Sequence, residues 1–252
     1  MKALLRWCAL VLVALLGLQL FFVGRIAAMA WVAPESTTFQ RSEAWAQLER
    51  QGRVRWRQQW LPYAQIADPL KRAVIASEDG SFANHDGVDW NAIEKAWERN
   101  AKAEALAAAR SLSRKGGPEA RTSPPPARAA KIVGGSTITQ QLAKNLLLSG
   151  ERTLLRKSQE FVLTVLLESL LSKQRILEIY LNNVEWGEGV FGAEAAAQHY
   201  FGKSAARLGP AEAARLAVML PAPKRFEKTP GSAYLAGRTR AILARMGGAE
   251  LP

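Results

Sequence analysis

Apolar residues run first in one long block and then at helical spacing along this chain. From Trp7 to Val23 every position is apolar apart from Gly17 and Gln19, and after Gly24-Arg25 the run resumes from Ile26 to Val32. A membrane-crossing helix needs about 20 mostly apolar residues, which Trp7–Val32 supplies if Arg25 reaches toward the far interface. Lys2 and Arg6 flank its start and favour an N-terminus left in the cytoplasm, with the remaining chain exported. Ala28-Met29-Ala30 resembles a signal-peptide cleavage site, but the apolar block is longer than the ~7–15 residues of such peptides, so a retained anchor is favoured.

Residues 33–66 read as a polar connector. Trp45, Trp56 and Trp60 lie among Arg53, Arg55 and Arg57, a mixture that suits either a membrane interface or a cover over the core. Asp68-Pro69 predicts a helix start, with Asp68 as cap and an apolar face of Leu70, Ala73 and Val74, running to about Gly80. A second helix is predicted from Trp90 to about Leu112. Residues 113–130 read as a flexible, basic, Ala/Pro-rich insertion. Helical patterning then returns over 153–172, 173–181, 194–200 and 211–220. No β-rich stretch or internal repeat is apparent, so the expected fold is mainly α. The chain divides into a tip and anchor (1–32), an interfacial connector (33–66) and one large domain (67–252).

Composition narrows this picture only slightly. The formal charge of +12 over 252 residues suits an acidic partner or a solvated basic surface. The basic residues are spread along the chain and no nucleic-acid-binding motif is present, so no nucleic-acid partner is expected. Cys8 is the one cysteine, which excludes an intramolecular disulfide.

Two polar cassettes break the helical pattern: Glu78-Asp79-Gly80-Ser81-Phe82-Ala83-Asn84-His85-Asp86-Gly87 and Gly134-Gly135-Ser136-Thr137-Ile138-Thr139-Gln140-Gln141-Leu142-Ala143-Lys144-Asn145. Such groups are costly to bury and unnecessary for folding, so they mark a site. Glu78, beside Asp79 at a helix end, is expected to have a raised pKa, which suits a general base or is simply a helix-terminal acid. On a helix starting near Ser136, the residues Thr137, Gln141, Lys144 and Asn145 share a face, and free backbone N–H groups at its start could meet an anion. Farther on, Arg156 and Lys157 stand four and three residues before Glu160 and can pair with it. Lys144, Arg152 and Arg156 could instead bind a diphosphate, with Glu160 orienting them or a metal ion. Together these residues suit transfer from a phosphate-bound donor to an acceptor hydroxyl. One carboxylate takes the proton and cations stabilise a leaving group that departs as an anion.

These stretches, with Arg156-Lys157-Ser158-Gln159-Glu160 and Arg175-Ile176-Leu177-Glu178-Ile179-Tyr180-Leu181-Asn182, resemble the monofunctional biosynthetic peptidoglycan transglycosylases of glycosyltransferase family 51. Gly192–Lys203 and Glu212–Pro223 add weaker support, and the resemblance covers roughly residues 65–230. It implies a lysozyme-like helical domain with a small membrane-associated lobe, polymerising lipid II outside the inner membrane. Glu78 would activate the acceptor 4-hydroxyl for inverting attack on C-1, releasing undecaprenyl diphosphate. Lys144 and Arg152 would lie near the phosphates, with Glu160 the second essential acid. Asp79, Phe82, His85, Ser136, Thr137, Gln140, Gln141, Asn145, Arg156 and Lys157 complete the candidate substrate-binding set. A divalent cation, Mg or Mn, assists some members, although no metal-ligand spacing stands out here. Partners would be lipid II, the growing lipid-linked glycan, the inner membrane, and cell-wall synthesis or division proteins. The long insertion and Gln159, which stands where some members carry a basic residue, are departures. No Ser-x-x-Lys occurs, so transpeptidase activity is not expected.

His85 is expected to shape its loop, and His199, Glu178, Tyr180 and Asn182 to support the fold. Phe82 reads as core anchor or cleft wall. Two other function classes compete. A glycan hydrolase would not need the cation cluster and would digest finished wall, and a basic membrane-anchored binding module would keep its function after Glu78→Gln.

Overall fold

The computed structural model describes residues 1–115, 135–148, 150 and 153–252. They form two compact units, one made of Met1–Val88 with Thr137–Pro252 and the other of Asp89–Ser136. The predicted insertion at 113–130 falls outside the described residues except for its first three positions, which continue a helix.

The larger unit opens with α1 (Lys2–Ala28), the apolar block as one uninterrupted helix. Its lower part exposes Leu10 to Leu16 on every side, as a helix in lipid requires. The upper part does not: Phe22, Ile26 and Met29 are buried in the main core. The apolar run is therefore continuous in sequence but meets two environments. The connector is more ordered than its polarity predicts. Residues Thr38–Gln51 form α2, started by a capping box between Thr37 and Gln40 and stopped by Gly52 in the left-handed region. Its helical period was hidden because its buried positions, Gln40 and Gln47, are amides rather than hydrocarbons.

The two polar cassettes are placed by α3 (Asp68–Glu78), α5 (Ile138–Leu147), α6 (Leu154–Leu170) and α7 (Lys173–Asn183). Asp68 does not cap α3. It is the first helical residue, Ala67 holds the cap position without a side-chain bond, and the Asp68 carboxylate pairs with Lys71 at 2.7 Å. Downstream come α8 (Ala193–Phe201), α9 (Pro210–Met219), α10 (Pro223–Lys228) and α11 (Ala233–Arg245). Helix α9 packs against both α3 and α11, and α5 against α2, α6 and α7. Leu70, Ile75, Phe82, Leu142, Leu163, Tyr180 and Trp186 fill the space between them.

A small sheet also forms, from β1 (Arg57–Gln58), β2 (Glu185–Gly187) and β3 (Val190–Phe191) in the order β1-β3-β2. Strand β1 runs parallel to β3, and β2 antiparallel to it. Strands of two or three residues carry no readable alternation, and β2 and β3 are buried throughout. The fold remains mainly α. The three connector tryptophans divide: Trp45 is exposed, Trp56 meets Phe191 with the rings tilted 50° and 5.1 Å between centroids, and Trp60 packs on the core and donates to Glu178 Oε1 at 3.2 Å. The smaller unit carries α4 (Trp90–Lys115), begun by Asp89, whose carboxylate accepts the Ala92 N–H at 2.7 Å.

Candidate active site

Glu78 is the last residue of α3, half-buried beside the core. Its Oε2 accepts from Gln141 Nε2 at 3.1 Å, and Ser77 Oγ donates to Oε1 at 3.3 Å. Burial raises its pKa, and the two hydrogen bonds draw it back without cancelling the rise. The charge of Asp79 adds only the smallest contribution, so desolvation, not the like-charged neighbour, tunes this acid. A carboxylate with a raised pKa and two polar contacts can accept a proton from a hydroxyl near neutral pH.

The Gln141 amide is itself oriented. Tyr180, fully buried on α7, donates its hydroxyl to Gln141 Oε1 at 3.0 Å, which leaves Nε2 facing Glu78. Burial and the charges of Glu78 and Asp79 push the Tyr180 hydroxyl well above its ordinary range, so it stays a donor. Tyr180 thus acts on the candidate base at one remove.

Asp79 ties the two cassettes together. Its Oδ1 faces His85 Nε2 at 2.9 Å, and its Oδ2 accepts the Ile138 N–H at 3.0 Å, at the start of α5. Because the Gly87 N–H donates to His85 Nδ1 at 3.1 Å, the network places the imidazole proton on Nε2, where it donates to Asp79. Thr137 donates to the Gly87 carbonyl at 2.6 Å and forms a capping box with Gln140 that begins α5. Helix α5 therefore starts two residues after Ser136, and Thr137 is its cap rather than part of its face. Gly87 sits at φ 82°, where an added Cβ would lie 2.7 Å from Thr164 Cγ2 on α6. Only glycine lets the first cassette lie this close to that helix. Beneath the loop Phe82 is fully buried, a core anchor with Lys173 Nζ 4.6 Å above its ring.

So Asp79, His85, Thr137, Gln140 and Phe82 are engaged inside the protein, whereas Gln141, Lys144 and Asn145 follow on α5 with Lys144 exposed and Asn145 half-buried. Ser136 is exposed and belongs to the smaller unit. Arg152 lies outside the described residues.

A second charged group sits on α6. Glu160, buried, takes Arg156 Nη1 at 2.7 Å and Lys157 Nζ at 2.5 Å. Burial alone would raise its pKa, but the hydrogen bonds from Lys157 and Arg156 outweigh it and hold the carboxyl below its ordinary range. One carboxylate against two cations leaves a net positive charge. The buried Arg156 Nε has no hydrogen-bond partner among the described residues. The spacing of these three residues made the pairing readable from sequence. The link from Thr139 to Glu168 at 2.6 Å, and from Glu168 to Lys173 at 2.9 Å, was not, because it joins three helices. Among the described residues no group of three or more His, Cys, Asp or Glu side chains converges as a metal site.

The transglycosylase family model matches residues 44–111 and 126–247. Among curated proteins, the chain is 48% identical over 253 residues to the biosynthetic peptidoglycan transglycosylase of Herminiimonas arsenicoxydans, covering all of this chain and 99% of that protein. It is 47% identical over 251 residues to the protein of the same name from Paraburkholderia xenovorans (strain LB400), covering 98% and 94%. A third, from Burkholderia thailandensis, is 49% identical over 239 residues, covering 95% and 84%.

Proposed function

Because the chain belongs to the transglycosylase family, whose domain is helical and lysozyme-like, we propose that it is a peptidoglycan glycosyltransferase that polymerises lipid II into linear glycan strands. The observation that carries this reading is Glu78, a half-buried carboxylate with a raised pKa, held by Gln141 and Ser77. It takes the proton of the acceptor 4-hydroxyl as that oxygen bonds to C-1 of the lipid-linked donor. The bond from C-1 to the diphosphate breaks with inversion, and undecaprenyl diphosphate departs as an anion. No acid is required to protonate that leaving group, which separates this reaction from glycan hydrolysis. Lys144, Arg156 and Lys157 stabilise its charge, Glu160 holds the latter two in place, and Arg152 joins them by motif.

A divalent cation finds little purchase on the described residues. Both Glu160 oxygens already accept from Arg156 and Lys157, and no three ligating side chains converge. Transpeptidation is not proposed, since the sequence lacks Ser-x-x-Lys.

Helix α1 is long and apolar enough to cross a membrane. On this reading it spans the inner membrane once, with its N-terminus cytoplasmic and the catalytic residues on the periplasmic side, where cell-wall synthesis or division proteins would be its partners. The test is polymerisation of labelled lipid II by the full-length protein in detergent, wild type beside Glu78→Gln. Wild type should make muramidase-sensitive glycan and the variant essentially none. Wild type inactive across several detergents would overturn the reaction, and equal activity would remove Glu78 as base.

A further inference from the structure

Gln19 is the one amide within the apolar block, and on α1 it begins the stripe that turns inward. Gln19, Phe22, Ile26 and Met29 follow at spacings of three, four and three, one face of a helix. The last three are buried core residues, while Leu15, Leu16 and Leu18 just below are exposed. Gln19 therefore stands where α1 passes from lipid-facing helix to docked helix. There it meets Gln159 of α6: Gln19 Nε2 donates to Gln159 Oε1 at 3.3 Å, and Gln159 Nε2 donates back to Gln19 Oε1 at 3.4 Å. Ten residues higher, Arg175 Nε donates to the Met29 carbonyl at 2.7 Å. Arg175 stands near the start of α7, just past the end of α6, so the chain from Gln159 to Arg175 advances in the same sense as α1 from Gln19 to Met29.

We propose that this reciprocal amide pair fixes the anchor helix to α6 and thereby sets the height of the Arg156–Lys157–Glu160 group relative to the membrane, making Gln19 and Gln159 positioning residues for the lipid-linked substrate. The inference rests on the membrane-anchored transglycosylase reading. An amide in an apolar layer is costly unless it finds a partner, and two side-chain amides satisfy one another with two bonds. A basic residue at 159 could not both donate to and accept from Gln19, so the glutamine has a physical reason to be there. Gln159 lies immediately before Glu160, on the helix that carries the cations. A lipid diphosphate is held at headgroup level, so a shift of α6 along α1 misaligns the cations with it. Leu154 and Leu155, largely exposed at the lower end of α6, fit the same placement, with two apolar side chains on the lipid side.

The experiment reconstitutes full-length protein in lipid vesicles and follows lipid II polymerisation by wild type, Gln19→Leu, Gln159→Leu and the double variant. Each single change leaves one amide unpaired and should raise the apparent KM about three- to twenty-fold, the range of interhelical hydrogen bonds in membranes. The double change removes both amides and should recover most of the loss. A loss of folded protein would lower the maximal rate and leave KM unmoved. Four indistinguishable proteins, or a double variant carrying the product of the single losses, would overturn the proposal. Docking is read independently of turnover: Gln19→Cys with Gln159→Cys, in a Cys8→Ser background, should be joined in vesicles by a short bifunctional thiol reagent. No cross-link overturns the docking, whereas a cross-link in a protein whose wild type makes no glycan counts against the reaction and leaves the docking intact.

Discussion

Tyr180 and Glu78 both bond Gln141, and the hydroxyl of the one decides which end of that amide faces the carboxylate of the other. Replacing Tyr180 by Phe removes the donor that holds Gln141 Oε1 and frees the amide to turn. Glu78 then loses a hydrogen bond that lowers its pKa, so its pKa rises further. The working base is the deprotonated form. The acid limb of the pH profile of kcat/KM should therefore move to higher pH in Tyr180→Phe, with activity partly regained by raising the pH. An unchanged limb would show that Gln141 holds its orientation without Tyr180.

Asp79 joins the first cassette to the start of α5. Its two oxygens serve His85 and the Ile138 N–H, so Asp79→Asn presents an amide N–H₂ to one of these donors. A buried donor left without an acceptor costs about 1–3 kcal/mol. Thermal unfolding of Asp79→Asn should shift down by about 2–4 °C for each kcal/mol lost, the scale for a chain of this size. An unchanged Tm would mean the loop and α5 are joined well enough by Thr137 and Gly87 alone.

Much of this was readable in the chain because local chemistry decided it. The long helices follow from apolar spacing, and the paired charges on α6 from their separation by three and four residues. What was not readable depends on distant partners. The sequence sets Asp79 and His85 in one polar loop, but not the bonds they make to the Ile138 N–H and the Gly87 N–H. Helix α2 is hidden because its inward residues are glutamines, one of which, Gln40, donates to the Asn183 carbonyl at 3.2 Å. Likewise Gln19 looks like an isolated polar intrusion until Gln159 meets it across 140 positions of sequence.

The same burial argues that the anchor stays attached. Cleavage after Ala30 would remove Phe22, Ile26 and Met29, each contributing about 1.5–3 kcal/mol of burial. It would also take away the Met29 carbonyl that accepts from Arg175. Intact-mass measurement on protein from membranes should find the segment before Ala30 present. A truncated chain beginning at Trp31 should unfold at lower temperature than full-length protein in the same detergent. A stable, monodisperse truncated chain would show that the upper part of α1 is dispensable to the core.

Glu185 supplies a pH dependence unconnected to the reaction. It is buried on β2, 3.3 Å from Lys224 Nζ of α10, but its Oε1 has no aligned hydrogen bond, because the same lysine binds Glu43 of α2 more closely. Burial, with repulsion from Glu43 and Glu227 only partly offset by Lys224, raises its pKa to about 7. Burial alone would lower the Lys224 pKa, but its two carboxylate partners, Glu43 and Glu185, outweigh it and raise it. In the unfolded chain Glu185 loses its proton near the ordinary carboxylate value, so between there and pH 7 the folded state holds the extra proton. Stability from this group is therefore greatest at low pH and falls as pH rises through about 7. Glu185→Gln, which stays neutral, should raise Tm at pH 8, with a gain of up to roughly 3 kcal/mol, and much less at pH 5. Equal gains at both pH values would mean that Lys224 neutralises Glu185 fully and that the buried carboxylate is charged throughout.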